Sequence, residues 1–460
     1  MRRGNSITSG VTHFNFFWEP DGAGCGGSPL CGCCDFMGAV SRREAVPRVQ
    51  VRAHPEPSPP TRQPWGDENR SNLPLVAGSA SLTDLARMPH AARVSVRDAL
   101  RLRAAALDLL SGRQSGWERL PPCSAETWDV FLRTERCALA LKSRLAAPGP
   151  GIDAAATREL QRILSARGQL LHIGQLAATH GIPTIVLKGG VAVFTSSAPV
   201  DVHDVDVLVQ PVNAERLAEL LDKEGFSATG PAGTAHLAQR IAPHTVQIEV
   251  HFALNEFELT DGLWSRARAL DGVAGLSRLG AADHLWHLLL HSVVTHPHRR
   301  GCMRDVLLAA EALADCAPSD LKGVERLVGG HPLAKPLGDQ LAMAREQRDG
   351  VPTKDRFRRE AAANYVLRGP LGWLGFSKFW TGAFVSALFS QLGSTDCRRH
   401  EWAQAWTRPD FPSPWVLAAR LERRAPRLGR WCRTSVKVAR LICARIAAFP
   451  IAVAARRLTS

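Results

Sequence analysis

Between residues 184 and 252 the apolar pattern of the chain changes period, and this change restricts the fold more than any other feature. Upstream, residues 96–110, 128–145 and 154–179 carry apolar side chains at three- and four-residue spacing, the mark of helices with one buried face. The last of these runs meets Gly181 and then Pro183, residues that stop a helix. Residues 184–187, 205–209 and 245–252 are instead short β-branched or apolar runs, which predict strands. Gly189-Gly190 follows the first run and Pro211 closes the second. Asn213 is placed to cap a helix carrying Leu217, Leu220 and Leu221 and ending at Gly225. Helical spacing returns at residues 283–294 and 304–316, with weaker runs to about residue 368. The predicted class is α+β: a small α/β core of strand, turn-helix, strand, helix and strand, flanked by N- and C-terminal helical regions.

Polar residues fall at telling places on this frame. Asp204 and Asp206 are two apart on the second strand and so share a face, while Val205, Val207 and Val209 turn to the core. Converging carboxylates repel one another unless a cation sits between them. Mg²⁺, with Mn²⁺ as its alternative, takes hard oxygen ligands and keeps positions open for phosphate and water. Glu249, on the third strand, offers a third carboxylate, and His251 shares its face. In Lys188-Gly189-Gly190 the glycine amides can approach a phosphate closely and Lys188 can add a charge. His284, His287 and His291 recur at helical steps. For His284, His287 and His291, lining the phosphate cleft, joining a metal cluster and forming a plain polar stripe are three readings that spacing leaves open, and His251 is a further candidate to line that cleft.

Taken together, these residues resemble the DNA polymerase β-type nucleotidyltransferase superfamily, whose signature is a Gly-Gly or Gly-Ser turn, a paired acid and a third acid on a later strand. More narrowly, the stretch is similar to a bacterial family of uncharacterised nucleotidyltransferase-like proteins with an LKG turn, a DIDLLV-type strand and a DLHW-type strand. The matching segments are Leu187-Lys188-Gly189, Asp204-Val205-Asp206-Val207-Leu208-Val209 and Glu249-Val250-His251-Phe252. The likeness runs from about residue 128 to 310 and includes Arg304-Asp305. It implies transfer of a nucleoside monophosphate from an NTP to an unknown hydroxyl or phosphate acceptor. Asp204, Asp206 and Glu249 would hold the metal and carry catalysis, and Lys188, Gly189 and Gly190 would bind the nucleotide. Gly190 stands where many relatives have serine, Glu249 where they have aspartate, and Pro199-Val200-Asp201 where a basic residue often precedes the paired acid. Those departures keep a second reading open, a catalytically degenerate module of the same fold that binds nucleotide or a partner.

Charge adds a further expectation. The 460-residue chain carries a net charge of +14, and beyond Arg420 its one acid is Glu422. Such a tail suits nucleic acid or an anionic membrane surface, although a general excess of arginine explains part of it. No uncharged apolar run reaches about 18 residues, so no transmembrane span is expected. The start of the chain lacks the pattern of a secretory signal, and the 11 cysteines show no framework spacing, which together suit a cytoplasmic protein. The expected layout is a disordered or non-native extension over 1–75, a helical layer over 95–164, a nucleotidyltransferase core over 165–260 and a helical domain over 275–350. Residues 369–460 are unassigned apart from the basic tail.

Overall fold

A computed structural model describes residues 94–113, 117, 120, 122–147, 149–196, 200–229, 232, 235–254, 261–371, 382–392 and 425–460. The chain divides into Met1–Gly78 and a compact unit, Ser79–Ser460. The extension over 1–75, with its cysteine group Cys25, Cys31, Cys33 and Cys34, lies outside the described residues, as do Trp373, Phe376, Phe379 and Trp380.

The core of the unit is a seven-stranded mixed sheet of order β3-β4-β5-β2-β1-β7-β6, formed by β1 (Thr184–Val186), β2 (Asp204–Val209), β3 (Ser227–Thr229), β4 (Gln239–Ile241), β5 (Gln247–His251), β6 (Arg268–Ala269) and β7 (Leu276–Arg278). The three strands expected from the apolar runs are its centre. β1 runs antiparallel to β2, and β2 runs parallel to β5. The four flanking strands are two or three residues long and largely half-exposed, too short for alternation to reveal them.

Period-two alternation sends the two faces of the sheet to different partners. On one face Val186, Val205, Val207, Val209, Ile248 and Val250 pack under α4 (Pro150–His180) and α6 (Pro211–Lys223). On the other, Ile185, Leu187 and Leu208 form a small core with Leu254, Leu263 and Leu279. Asp204 and Asp206 share the face of Leu208, at the end where β1 runs into α5 (Gly189–Thr195).

Helices before and after the sheet share a single large core. They are α1 (Val96–Leu110), α2 (Ala125–Glu135) and α3 (Ala138–Lys142) on the N-terminal side. On the C-terminal side, after α7 (Asp261–Arg266), come α8 (Ala281–Leu290), α9 (Met303–Ala314), α10 (Pro318–Gly330), α11 (Ala334–Arg348), α12 (Arg358–Arg368), α13 (Gly382–Leu392) and α14 (Pro426–Thr459). Ser95 caps α1 by accepting from the Asp98 amide. Two local expectations are corrected. The helix expected over 128–145 is two helices, broken where Arg136 takes a left-handed conformation with φ 53° and ψ 47°. Asn213 is not a cap: Pro211 opens α6 and Gln210 is the cap residue. Within the shared core a fully buried Arg103 is matched by Glu135 at 2.7 Å and Asp355 at 2.9 Å, and it donates to the Gly301 carbonyl at 2.7 Å. Among the described residues no helix is long and apolar enough to cross a membrane.

Candidate functional site

Parallel pairing of β2 with β5 sets Asp206 directly opposite Glu249 and places His251 opposite Leu208. The result is a cluster: ligand atoms of Asp206, Glu249 and His251 all lie within 4.8 Å of one another, the one such group of three found among the described residues. His251 Nε2 lies 2.9 Å from Asp206 Oδ1 and 3.4 Å from Glu249 Oε2, so it bridges the two carboxylates. Gln239 of β4 donates its side-chain amide to Glu249 Oε1 and orients that carboxylate. Two oxygens and an imidazole nitrogen at this separation fit a divalent cation.

Lys188 completes the cluster in an unexpected role. Its ammonium lies 2.8 Å from Asp206 Oδ1, and both side chains are buried. Burial works against the charge of Asp206, but Lys188 and His251 outweigh it and hold the carboxyl well below its usual range. For His251 burial again opposes the charge, and its hydrogen bonds to Asp206 and Glu249 raise the imidazole above its ordinary value. Lys188 and His251 thus both meet Asp206, where converging acids alone would repel.

In the turn after β1 the strained residue is not a glycine. Lys188 has φ 52° and ψ −129°, a region glycine tolerates and other residues rarely adopt. Gly189 and Gly190 instead answer to space. A side chain at Gly189 would come within 2.9 Å of Arg304 Nη2, and one at Gly190 within 2.7 Å of Val186 Cγ1. The amides of Gly190 and Val191 close the turn on the carbonyls of Leu187 and Lys188. α5 has seven residues, so its end contributes little dipole.

Asp204 lies one step along the same face, half-buried and outside the three-residue cluster. Its charge is felt by the buried Arg304, which also pairs with Asp305 at 2.9 Å and donates to the Asp201 carbonyl at 2.6 Å. His287 and His291 are buried near Lys188; burial first, and then the Lys188 charge, press both imidazoles well below their ordinary value, so they stay neutral. α8 runs into a π-helical turn, His291–Thr295, and the rings of His287 and His291 stand 6.2 Å apart. His284 is also buried and is pushed down to about 4, by burial and then by Arg278.

Three contributors escaped the sequence reading: Gln239, the packing of Arg304 against Gly189, and a network around Asp201. Asp201 is bound by Arg136 at 3.1 Å, by Arg162 at 2.7 Å and by His203. Only Arg304-Asp305 carried a signal, as the last matching segment of the resemblance. The partners of Asp201 come from the end of α2, from α4 and from the loop before β2, and local pattern cannot bring those together.

Compared with known families, residues 146–346 match the model of a family described as "Uncharacterised nucleotidyltransferase". No curated protein matches the chain. The matched span starts just before α4, ends within α11 and contains the turn, all three acids of the sequence signature and the histidines of α8. Residues 146–346 are thus similar to that nucleotidyltransferase-like family, with an α+β fold in which helices flank the sheet.

Proposed function

We propose that the chain is a metal-dependent nucleotidyltransferase that moves a nucleoside monophosphate from an NTP to a hydroxyl or phosphate acceptor. The observation that carries the reading is the cross-strand pair Asp206–Glu249, bridged by His251 beside the glycine turn. The carboxylate oxygens suit Mg²⁺ or Mn²⁺. Bound there, a divalent cation would offset phosphate charge and stabilise the leaving pyrophosphate. Asp206 and Glu249 would hold it, and Asp204, on the face of Asp206, would extend the set towards the less buried end of the strand. Glu249 would accept the proton of the acceptor group. Lys188, already on Asp206 at 2.8 Å, would neutralise a phosphate once Asp206 is otherwise engaged. Gly189 and Gly190, whose packing against Arg304 and Val186 admits no side chain, would shape the turn that the nucleotide approaches.

The test is pyrophosphate release from ATP, GTP, CTP and UTP over a panel of acceptors, with Mg²⁺ and with Mn²⁺. Sustained release by the wild-type protein that falls at least 100-fold in Asp206→Asn and in Glu249→Gln supports the reading, a loss on the order expected for removing a main electrostatic contributor. Equal release by Asp206→Asn would remove it. A second reading, a binding module of the same fold, is favoured by one contact: the Lys188 ammonium occupies a ligand position on Asp206. It predicts nucleotide binding with no pyrophosphate release.

A further inference from the structure

A polar cavity of about 190 Å³ lies between the end of α2, the turn Pro297–Arg299, the start of α9 and α12. Its wall includes Arg133, Arg136, Arg299, Arg368, His203 and His298. The lining carboxylate, Glu135, is already engaged by Arg103 and Tyr365. The cavity continues into a cleft of about 670 Å³ that shares Arg133, Arg136, His203 and Arg368 and is walled further on by Trp117 and Trp128.

Three observations point to an anion site. Arg136 Nη2 is buried with no hydrogen-bond partner, and its side chain is 11% exposed. The acid facing Arg136, Asp201, is shared with Arg162 and His203, so it leaves positive charge uncompensated. Arg299 makes a 3.3 Å contact to His291 Nε2 and no ion pair with a carboxylate among the described residues. The resulting field is strong enough that burial, then Arg304 and Arg299, push the Arg136 guanidinium down to about 10. Arg136 also holds a left-handed backbone at the end of α2, where glycine or asparagine is cheaper. Strain of this kind persists where the side chain is needed in place.

We infer that this cavity is a binding site for a phosphate-class oxyanion, held by the guanidinium groups of Arg136, Arg299 and Arg368. Planar forks with several donors suit tetrahedral oxyanions, and a buried site makes each such bond stronger. A row of imidazoles leads from it towards the acidic cluster: His298 to His296 at 5.5 Å, His296 to His291 at 4.5 Å, His291 to His287 at 6.2 Å. The anion is therefore a phosphate of the acceptor or of the nucleotide, an assignment that rests on the nucleotidyl-transfer reading; the anion site itself does not.

The experiment is calorimetric titration of inorganic phosphate into the full chain, without divalent cation and in low-chloride buffer. The proteins are wild type, Arg136→Gln, Arg299→Gln and Asp206→Asn. Saturable binding by wild type, at least tenfold weaker in the arginine variants and unchanged in Asp206→Asn, is expected. Arg299→Gln decides the matter if loss of Arg136 prevents folding, since Arg299 holds no carboxylate. Equal affinity in folded Arg299→Gln, or no saturable binding by wild type, overturns the site. Competition then assigns the source. Displacement of phosphate by ATP places the nucleotide there; displacement by glycerol 3-phosphate and not by ATP places the acceptor there. Absence of pyrophosphate release by the wild-type protein, with its phosphate binding intact, would refute nucleotidyl transfer and leave the anion site standing.

Discussion

Replacing Lys188 by glutamine separates the two jobs that the turn assigns to this residue. The substitution shortens the side chain by one atom and keeps the strained φ of 52°, so backbone cost is constant. It removes a 2.8 Å charge-assisted hydrogen bond between two buried groups. A hydrogen bond to a charged group contributes about 1.5–3 kcal/mol, and leaving one member of a buried ion pair without its partner costs about 3–5 kcal/mol. His251 remains on Asp206, so the expected loss of stability without metal is near 3 kcal/mol, the meeting point of those two ranges. The same change removes the ammonium that a divalent cation must displace. Affinity for Mn²⁺ should therefore rise by about tenfold, roughly 1.4 kcal/mol. Urea unfolding with chelator present reads the first effect, and Mn²⁺ calorimetry reads the second. Saturating Mn²⁺ should stabilise the variant more than it stabilises wild type. Mn²⁺ binding weaker in Lys188→Gln than in wild type would refute the account, because Lys188 would then support the cation instead of standing in for it.

Three further expectations concern the scaffold. Burial raises the Glu159 carboxyl to about 7, against hydrogen bonds from the amides of Leu139 and Ala138. The folded protein then holds this proton more tightly than the unfolded chain, so the contribution to stability is largest below the ordinary carboxylate value of 4.5 and falls as pH rises to about 7, by at most about 3 kcal/mol. Urea unfolding across that window should show a shallower decline in Glu159→Gln; an unchanged slope would contradict it. Arg103→Met leaves Glu135 and Asp355 without their buried cation and should cost about 3–5 kcal/mol by denaturant unfolding, whereas a loss under about 1 kcal/mol would mean those acids find other partners. Gly275→Ala places a methyl 2.2 Å from the Gly174 carbonyl at φ +76° and should cost about 3 kcal/mol, visible as a lower melting temperature; no change would show that α4 can move away.

Much of this fold was legible wherever apolar runs were long. α1, α4 and the three central strands follow from their apolar runs, although on α4 Leu160, Leu164 and Leu171 are exposed and the buried face is Ile163, Ala166, Leu170, Ile173 and Ala177. The outer strands were not legible, because two or three residues such as Arg268–Ala269 carry no alternation. Nor was the break at Arg136: nothing in Thr134-Glu135-Arg136-Cys137 is a helix stop, and the left-handed turn is paid for by burying Cys137 and Ala138 and by placing the arginine beside Asp201. At the candidate site, the strand positions of Asp206 and Glu249 were legible, but their direct pairing rests on the register of β2 with β5, which spacing does not give. The role of Lys188 depends on a side-chain direction set by its unusual backbone, and the arginine cavity gathers α2, α12 and the turn before α9; spacing encodes neither.

The most direct test of the central claim is calorimetric titration of the four NTPs with Mg²⁺ into wild type and Asp204→Ala/Asp206→Ala. The account predicts saturable, metal-dependent nucleotide binding that chelator abolishes and the double variant loses, with both proteins folded by circular dichroism. Nucleotide binding that is indifferent to metal and to both aspartates, or no binding by the folded wild-type chain, would contradict it.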